Sequence, residues 1–401
     1  MNRFTRNLMF VLLAVAIGAV FSLFISSIGL NLATVKKAYA PEQQKVALPA
    51  IVPEDKQEEK VQQLLSKMTL EEKIGQLFMI GFQEPELSDH ARSMIADKHI
   101  GNIILFDRNM QNPDQVSKLN GSLQKLAIEA NGLPLLIGID QEGGSIVRMQ
   151  DQVAPIPAQQ ELGKTSRNTV LKTAQKTASE LKGMGFNVNF APVLDLSDTD
   201  TRSFGTDPQK AYQYGSAVIE GFSKHGVTGA LKHFPGNGRS SIDPHLETSS
   251  VQADTAELEK TDAYPFKKMI QTENQDDFFV MVTHIKYPAY DKKRPASISP
   301  VIIKDVLRKK FGYKGIVVTD DFEMGAVNKY YTYEELGIQA INAGADLLLV
   351  CHQYDHQLAM YKGVLKAAKD GRISKERIDE AAGRIVAHKL KQQEEENRKP
   401  E

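Results

Sequence analysis

The sequence predicts a single (β/α)8 TIM-type barrel, preceded by an N-terminal signal peptide or membrane-anchor helix. Three observations carry that expectation. Eight short apolar runs alternate with amphipathic helical stretches through the folded part of the chain, as parallel strands covered by helices do. The runs are nearly continuous in apolar residues, which suits strands buried on both faces. Charged residues gather at the C-terminal ends of these runs, the face on which a barrel carries its active site.

The elements follow in chain order. Arg3 and Arg6 precede "NLMFVLLAVAIGAVFSLFISSIGLNLATV", which meets no charge before Lys36, and "AYA" follows at 38–40. Charge, apolar run and small-residue site describe an export signal. The uncharged run is closer to a membrane span of ~20 residues than to a signal core, and Pro41 would directly follow the cut. Residues 1–40 are therefore expected to be a signal or a retained anchor, with the anchor slightly favoured. A buried core helix would need polar positions that this segment lacks. Either way the domain works outside the cytoplasm, secreted or held at the membrane. No cysteine lies near the cleavage region, which excludes a lipoprotein. Residues 41–58, rich in Pro and charge, read as a linker, and 59–395 as the barrel domain.

The candidate strands are "IGQLFMIGF" (74–82), "GNIILF" (101–106), "PLLIGID" (134–140), "NVNFAPVLD" (187–195), "VTGALKHF" (227–234), "FFVMVTHI" (278–285), "GIVVTDD" (315–321) and "ADLLLVCH" (345–352). An open doubly wound sheet is the competing fold, but no G-x-G-x-x-G follows the first strand. Asp140, Asp195, Lys232 with His233, His284, and Asp320 with Asp321 stand at strand ends. A helix cap explains any one of them alone. Together they point into one bowl.

Composition narrows the function. The net charge of −1 gives no field for nucleic acid. Cys351 is the only cysteine, so neither an intrachain disulfide nor a cysteine zinc cluster can form. The absence of tryptophan weakly disfavours a non-catalytic carbohydrate-binding module. His233, Asp243, His245 and His284 could ligate a metal, but there is no HExxH. "HFPGNGRS" lacks the GK[ST] of a phosphate loop, and no G-x-S-x-G appears. Glycoside cleavage fits better, because it needs a carboxylate at the sugar carbon and a proton donor for the departing oxygen. Asp320 suits the first role. His245, with Asp243 two residues earlier, suits the second, since an imidazole transfers protons near neutral pH.

In order along the chain stand "MTLEEKIGQLFMIGF", "IDQEGGSIVR", "NFAPVLDL", "RSFGTDP", "KHFPGNGRSSIDPH", "VMVTHIKYPAYD" and "VLRKKFGYKGIVVTDDFEMGA". With these motifs the sequence resembles glycoside hydrolase family 3, in its β-N-acetylhexosaminidase branch, over about residues 60–390. The resemblance implies a retaining enzyme that removes terminal GlcNAc from peptidoglycan-derived or chito-oligosaccharides, without metal or organic cofactor. It implies that Asp320 is the nucleophile, His245 the general acid/base and Asp243 its partner. It assigns the sugar to Asp140, Arg148, Arg202, Lys232 and His233, and makes the Gly-rich stretch after Lys232 a mobile loop that carries His245.

Two positions depart from the family pattern: Asn237, where His or Leu is expected, and Pro244, where Ser or Thr is usual. Pro244 has a fixed φ and no donor, so it is expected to stiffen the loop. A β-glucosidase of the same family is a rival, but "ISKERIDEAAGRIVAHKLKQQ" follows the last strand closely and leaves no room for the expected second domain. A phosphorylase and a non-catalytic cell-wall glycan binder stay open. The expected partner is a carbohydrate, with no nucleic acid, a membrane only through an uncleaved N-terminus, and a monomeric state.

Overall fold

The computed structural model describes residues 54–240, 243 and 246–398. The expected signal or anchor at 1–40, most of the linker, Pro244 and His245 lie outside the described residues. Eight parallel strands close into a barrel in sequence order. They are β1 (Phe78–Ile80), β2 (Asn102–Ile104), β3 (Leu136–Ile139), β4 (Val188–Asn189), β5 (Thr228–Phe234), β6 (Phe278–Val282), β7 (Val317–Asp321) and β8 (Leu347–Val350). β8 returns to β1, pairing Leu348 with Phe78 and Val350 with Ile80. The fold is the (β/α)8 barrel read from the sequence.

Strand alternation builds two layers. Met79, Ile104, Leu136, Val188, Ala230, Phe279, Val318 and Leu347 fill the barrel interior with Phe190. Their neighbours Phe78, Ile80, Ile103, Ile137, Leu231, Val280, Val317 and Leu348 join the larger core shared with the outer helices. Gly138 is required by this filling: a Cβ there would lie 2.8 Å from the Phe190 ring.

Every strand is shorter than its apolar run, the first and the fourth most of all. In the first, "TLEE" forms a capping box, with Glu72 N donating to Thr69 Oγ1 (3.2 Å) and Thr69 N to Glu72 Oε2 (2.6 Å). The run therefore opens as the helix Leu70–Gln76. In the fourth, Pro192 has no N–H to offer a ladder, and only Val188–Asn189 pair as strand. Asn189 extends that register with its side chain, accepting from Gln141 N (2.9 Å) and donating to Gln141 O (3.0 Å).

The first described helix, Glu54–Lys67, starts inside the stretch read as linker. It lies against the last helix, Lys375–Arg398, where Lys60 meets Glu394 at 3.3 Å. At the base of β7 and β8 the fully buried Asp346 gathers Arg308 (2.5 Å), Arg377 (2.7 Å) and Arg384 (2.9 Å). Its Oδ2 also accepts from Val317 N (3.0 Å). One carboxylate thus ties the helical turn Val301–Lys310 and the last helix to the barrel floor.

Candidate active site

A pocket of about 190 Å³ opens at the C-terminal ends of the strands, with Asp140, Arg148, Arg202, Lys232, His233 and Asp320 in its wall. Six residues singled out in the sequence, contributed by β5, β7 and the turns after β3 and β4, therefore converge. A larger cavity of about 520 Å³ lies at the other end of the barrel, beside Phe278, Ile316 and the helix Glu54–Lys67. It contains none of the strand-end charges, and the N-terminal face of a barrel serves stability.

Alternating charges run through the pocket wall. Asp107 pairs with Arg148 (3.0 Å), and Arg148 lies 3.7 Å from Asp140. Asp140 binds Lys232 (2.8 Å), Lys232 binds Glu142 (2.6 Å), and Glu142 holds Arg202 (2.7 Å). Lys232 is buried. Burial alone would lower its pKa, but Asp140 and Glu142 outweigh it and raise the value. Arg202 is likewise raised: burial opposes its charge, and Glu142 more than compensates. The Nε of Arg148 is buried and has no hydrogen-bond partner among the described residues.

Asp320 stands next to this chain. Its Oδ1 accepts from Asp321 N (2.9 Å), and its Oδ2 lies 4.0 Å from His233 Nε2. Burial pushes its pKa up, but His233, the Asp321 amide and Lys232 prevail and hold the carboxyl below the usual range. An ionised carboxylate beside an open pocket has the chemistry that a nucleophile requires.

His233 is oriented from behind by Asp195, which lies 2.7 Å from Nδ1 and also accepts from His233 N (3.1 Å) and Asn237 N (2.7 Å). Burial opposes ionisation of Asp195, yet His233 and these amides keep its pKa low. An ionised carboxylate only accepts, so Nδ1 of His233 carries the proton and Nε2 faces Asp320. Asp195, read from the sequence as one more strand-end charge, thus supports His233 rather than facing the pocket.

His284 supports β7 in a similar way. Its Nε2 lies 2.9 Å from Asp321 O and its Nδ1 2.7 Å from Ser297 Oγ. Burial lowers its pKa, and the neutral ring donates from Nε2 to the carbonyl and accepts from Ser297 at Nδ1.

The loop that follows β5 is pinned at its root. Tyr287 Oη donates to Gly236 O (2.7 Å), and Arg239 reaches Asp262 (2.8 Å) and Glu257 (2.8 Å). At Gly238 a Cβ would meet Leu196 O at 1.8 Å, so the chain passes where only glycine fits. Asp243 is exposed, and its carbonyl accepts from Leu246 N (3.0 Å) and Glu247 N (3.2 Å). His245 lies outside the described residues. Beyond it, Lys329 donates to Leu246 O (2.7 Å) and Tyr330 Oη to Glu247, which joins the loop to the segment after β7.

Glu142 escaped the sequence reading, although "IDQEGG" displays it two residues after Asp140. So did His352, whose Nε2 lies 3.3 Å from Asp321 and whose ring sits 5.1 Å from that of Phe106 at the pocket rim. Its only signal was a polar residue just past the eighth strand.

The barrel and its strand-end pocket have the form of a barrel enzyme's active-site face, and comparison with known proteins gives the family. The family model "Glycosyl hydrolase family 3 N terminal domain" matches residues 69–388, so the chain belongs to glycosyl hydrolase family 3. It is 33% identical over 289 residues to a β-hexosaminidase of Nitrosomonas eutropha, covering 69% of this chain and 81% of that one. It is 31% identical over 342 residues to β-hexosaminidase A of Pseudoalteromonas piscicida, covering 77% of this chain and 55% of that protein's length. A solved family 3 β-N-acetylglucosaminidase from a Paenibacillus species superposes with a TM-score of 0.79 at 39% identity, covering 81% of this chain and 63% of that one. The chain thus spans little more than half of the longer of these relatives.

Proposed function

We propose that the protein is an exo-acting, retaining β-N-acetylglucosaminidase that hydrolyses terminal non-reducing GlcNAc from peptidoglycan-derived or chito-oligosaccharides. The observation that carries this reading is Asp320, an ionised carboxylate at the end of β7, set beside His233 in a pocket rimmed by paired charges. The pocket is small, at about 190 Å³, which supports action on a single terminal sugar. The β-hexosaminidase and β-N-acetylglucosaminidase relatives support the choice of the N-acetyl sugar.

In this reading Asp320 attacks the anomeric carbon while His245, paired with Asp243, gives its proton to the departing oxygen. His245 then takes a proton from the water that attacks the glycosyl-enzyme, and Asp320 leaves as the carboxylate. Lys232, His233, Arg202, Asp140 and Arg148 hold the sugar hydroxyls. The site residues need no metal or organic cofactor for these steps.

A 2-deoxy-2-fluoro glycosyl fluoride should trap the intermediate on Asp320, read by peptide mass spectrometry. A label on another residue would refute the nucleophile assignment. The N-terminal segment 1–40 places the enzyme outside the cytoplasm in this proposal, anchored or secreted. Fractionation of cells expressing the full chain tests this, and recovery only with cytoplasmic proteins would reject it.

A further inference from the structure

Among the charges in the pocket wall, Glu142 has the least access to a ligand. Its side chain is 2% exposed, against 19% for Asp140. Both of its oxygens are engaged: Oε1 by Lys232 Nζ (2.6 Å) and Arg202 Nη2 (3.0 Å), and Oε2 by Arg202 Nε (2.7 Å). We propose that Glu142 is a positioning residue for the glycosidase reaction, fixing Lys232 and Arg202 in the geometry by which their remaining N–H groups grip the sugar. The inference rests on the glycosidase reading above and adds to it a residue that touches no substrate.

Charge and geometry carry the argument. Lys232 comes from β5 and Arg202 from the turn after β4, and a buried and a half-buried cation drawn to one spot repel each other. A carboxylate between them lets both stay charged inside the wall. Lys232 Nζ donates to Asp140 Oδ1 (2.8 Å) and pairs with Glu142 Oε1 at 2.6 Å. Held between these two carboxylates, the ammonium has its place in the wall fixed and N–H capacity left for a ligand. Arg202 meets Glu142 through Nε and Nη2 in a two-pronged contact, which fixes the plane of the guanidinium and leaves its Nη1 edge over. Burial resists ionisation of Glu142, but Lys232 and Arg202 bring its pKa down to about 2. It is a fixed charge at any working pH and relays no proton.

The test is made on the full chain with an aryl β-N-acetylglucosaminide. Glu142→Gln keeps the shape and removes the charge, and kcat/KM is expected to fall roughly 100-fold through misplacement of the two cations. Glu142→Asp, which keeps the charge, should lose about tenfold less. Because Glu142 acts through both Lys232 and Arg202, the double variant Glu142→Gln/Lys232→Met should lose clearly less than the product of the two single losses. With Glu142 neutralised, Lys232 and Arg202 act less opposed on Asp320, so the acid limb of kcat/KM should move to lower pH. A merely structural role would not move that limb. If Glu142→Gln fails to fold by thermal melting, Glu142→Asp alone and with Lys232→Met carries the same comparison. Wild-type kcat/KM in Glu142→Gln, or losses that multiply in the double variant, would overturn the role. A silent wild type would remove the glycosidase reading and this role with it, whereas an active wild type beside an unaffected Glu142→Gln removes only the role.

Discussion

At Asp320 and His233 the chemistry depends on groups behind the pocket as much as on those facing it. Asp195 holds Nδ1 of His233 at 2.7 Å and so selects which ring nitrogen faces Asp320. Asp195→Asn puts an amide there that can offer N–H instead of accepting, which permits the other tautomer. Activity on a GlcNAc glycoside is expected to drop about 100-fold with little change in melting temperature. Unchanged activity would show that the tautomer is immaterial. Asp140, Lys232, His233 and Asp320 were legible in the sequence because each ends an apolar run, as Lys232 and His233 end "VTGAL" and Asp320 ends "GIVVT", whereas Arg148 and Arg202 were reached only through the family resemblance. The supporting pairs were not. Glu142 meets Arg202 across 60 residues of chain and His233 meets Asp195 across 38, separations that leave no local spacing to read.

Strands and helices follow the apolar runs, but their limits are decided by hydrogen-bond competition. The capping box at Thr69 and Glu72 converts the front of the first run into helix, and Pro192 ends the fourth strand early. Both signals are visible in "TLEE" and "FAPV" once weighed against hydrophobic periodicity. The Asp346 cluster was invisible for the reason that hid Glu142, since its three arginines arrive from distant elements. Burial opposes the charge of Asp346, but Arg308, Arg384 and Arg377 hold its pKa below the ordinary value. Its folded pKa is depressed, so its stabilisation is present above the unfolded value of ~3.9 and is lost as pH falls through the folded one. Asp346→Ala leaves the mostly buried Arg308 without a carboxylate and Arg377 and Arg384 with Glu380 alone, and should cost about 3–5 kcal/mol in urea unfolding at neutral pH. A cost below about 1 kcal/mol would mean that the arginines find other partners.

Across the whole molecule the two ends of the barrel divide the work. The C-terminal face holds the charged pocket, and the N-terminal face is closed by the last helix. There Lys389, 1% exposed, donates to Gln76 Oε1 (2.6 Å) and Gly101 O (2.8 Å). Burial brings its pKa down to about 7. Because the unfolded chain binds this proton up to ~10.4, stability gained from Lys389 rises with pH between about 7 and that value. The gain is on the order of 4 kcal/mol at its limit. Lys389→Met should unfold with a flatter pH dependence over that window, and parallel curves for the two proteins would contradict the buried, weakly basic lysine.

Release of aryl alcohol from an aryl β-N-acetylglucosaminide and an aryl β-glucoside by the full chain, with and without phosphate, decides whether this pocket hydrolyses an N-acetylglucosaminide. Asp320→Ala and His245→Ala are assayed beside it. The account predicts turnover of the N-acetyl substrate, little of the glucoside, indifference to phosphate, and a loss of roughly 10³-fold or more in Asp320→Ala. Preference for the glucoside, dependence on phosphate, or full activity without the Asp320 carboxylate would contradict it.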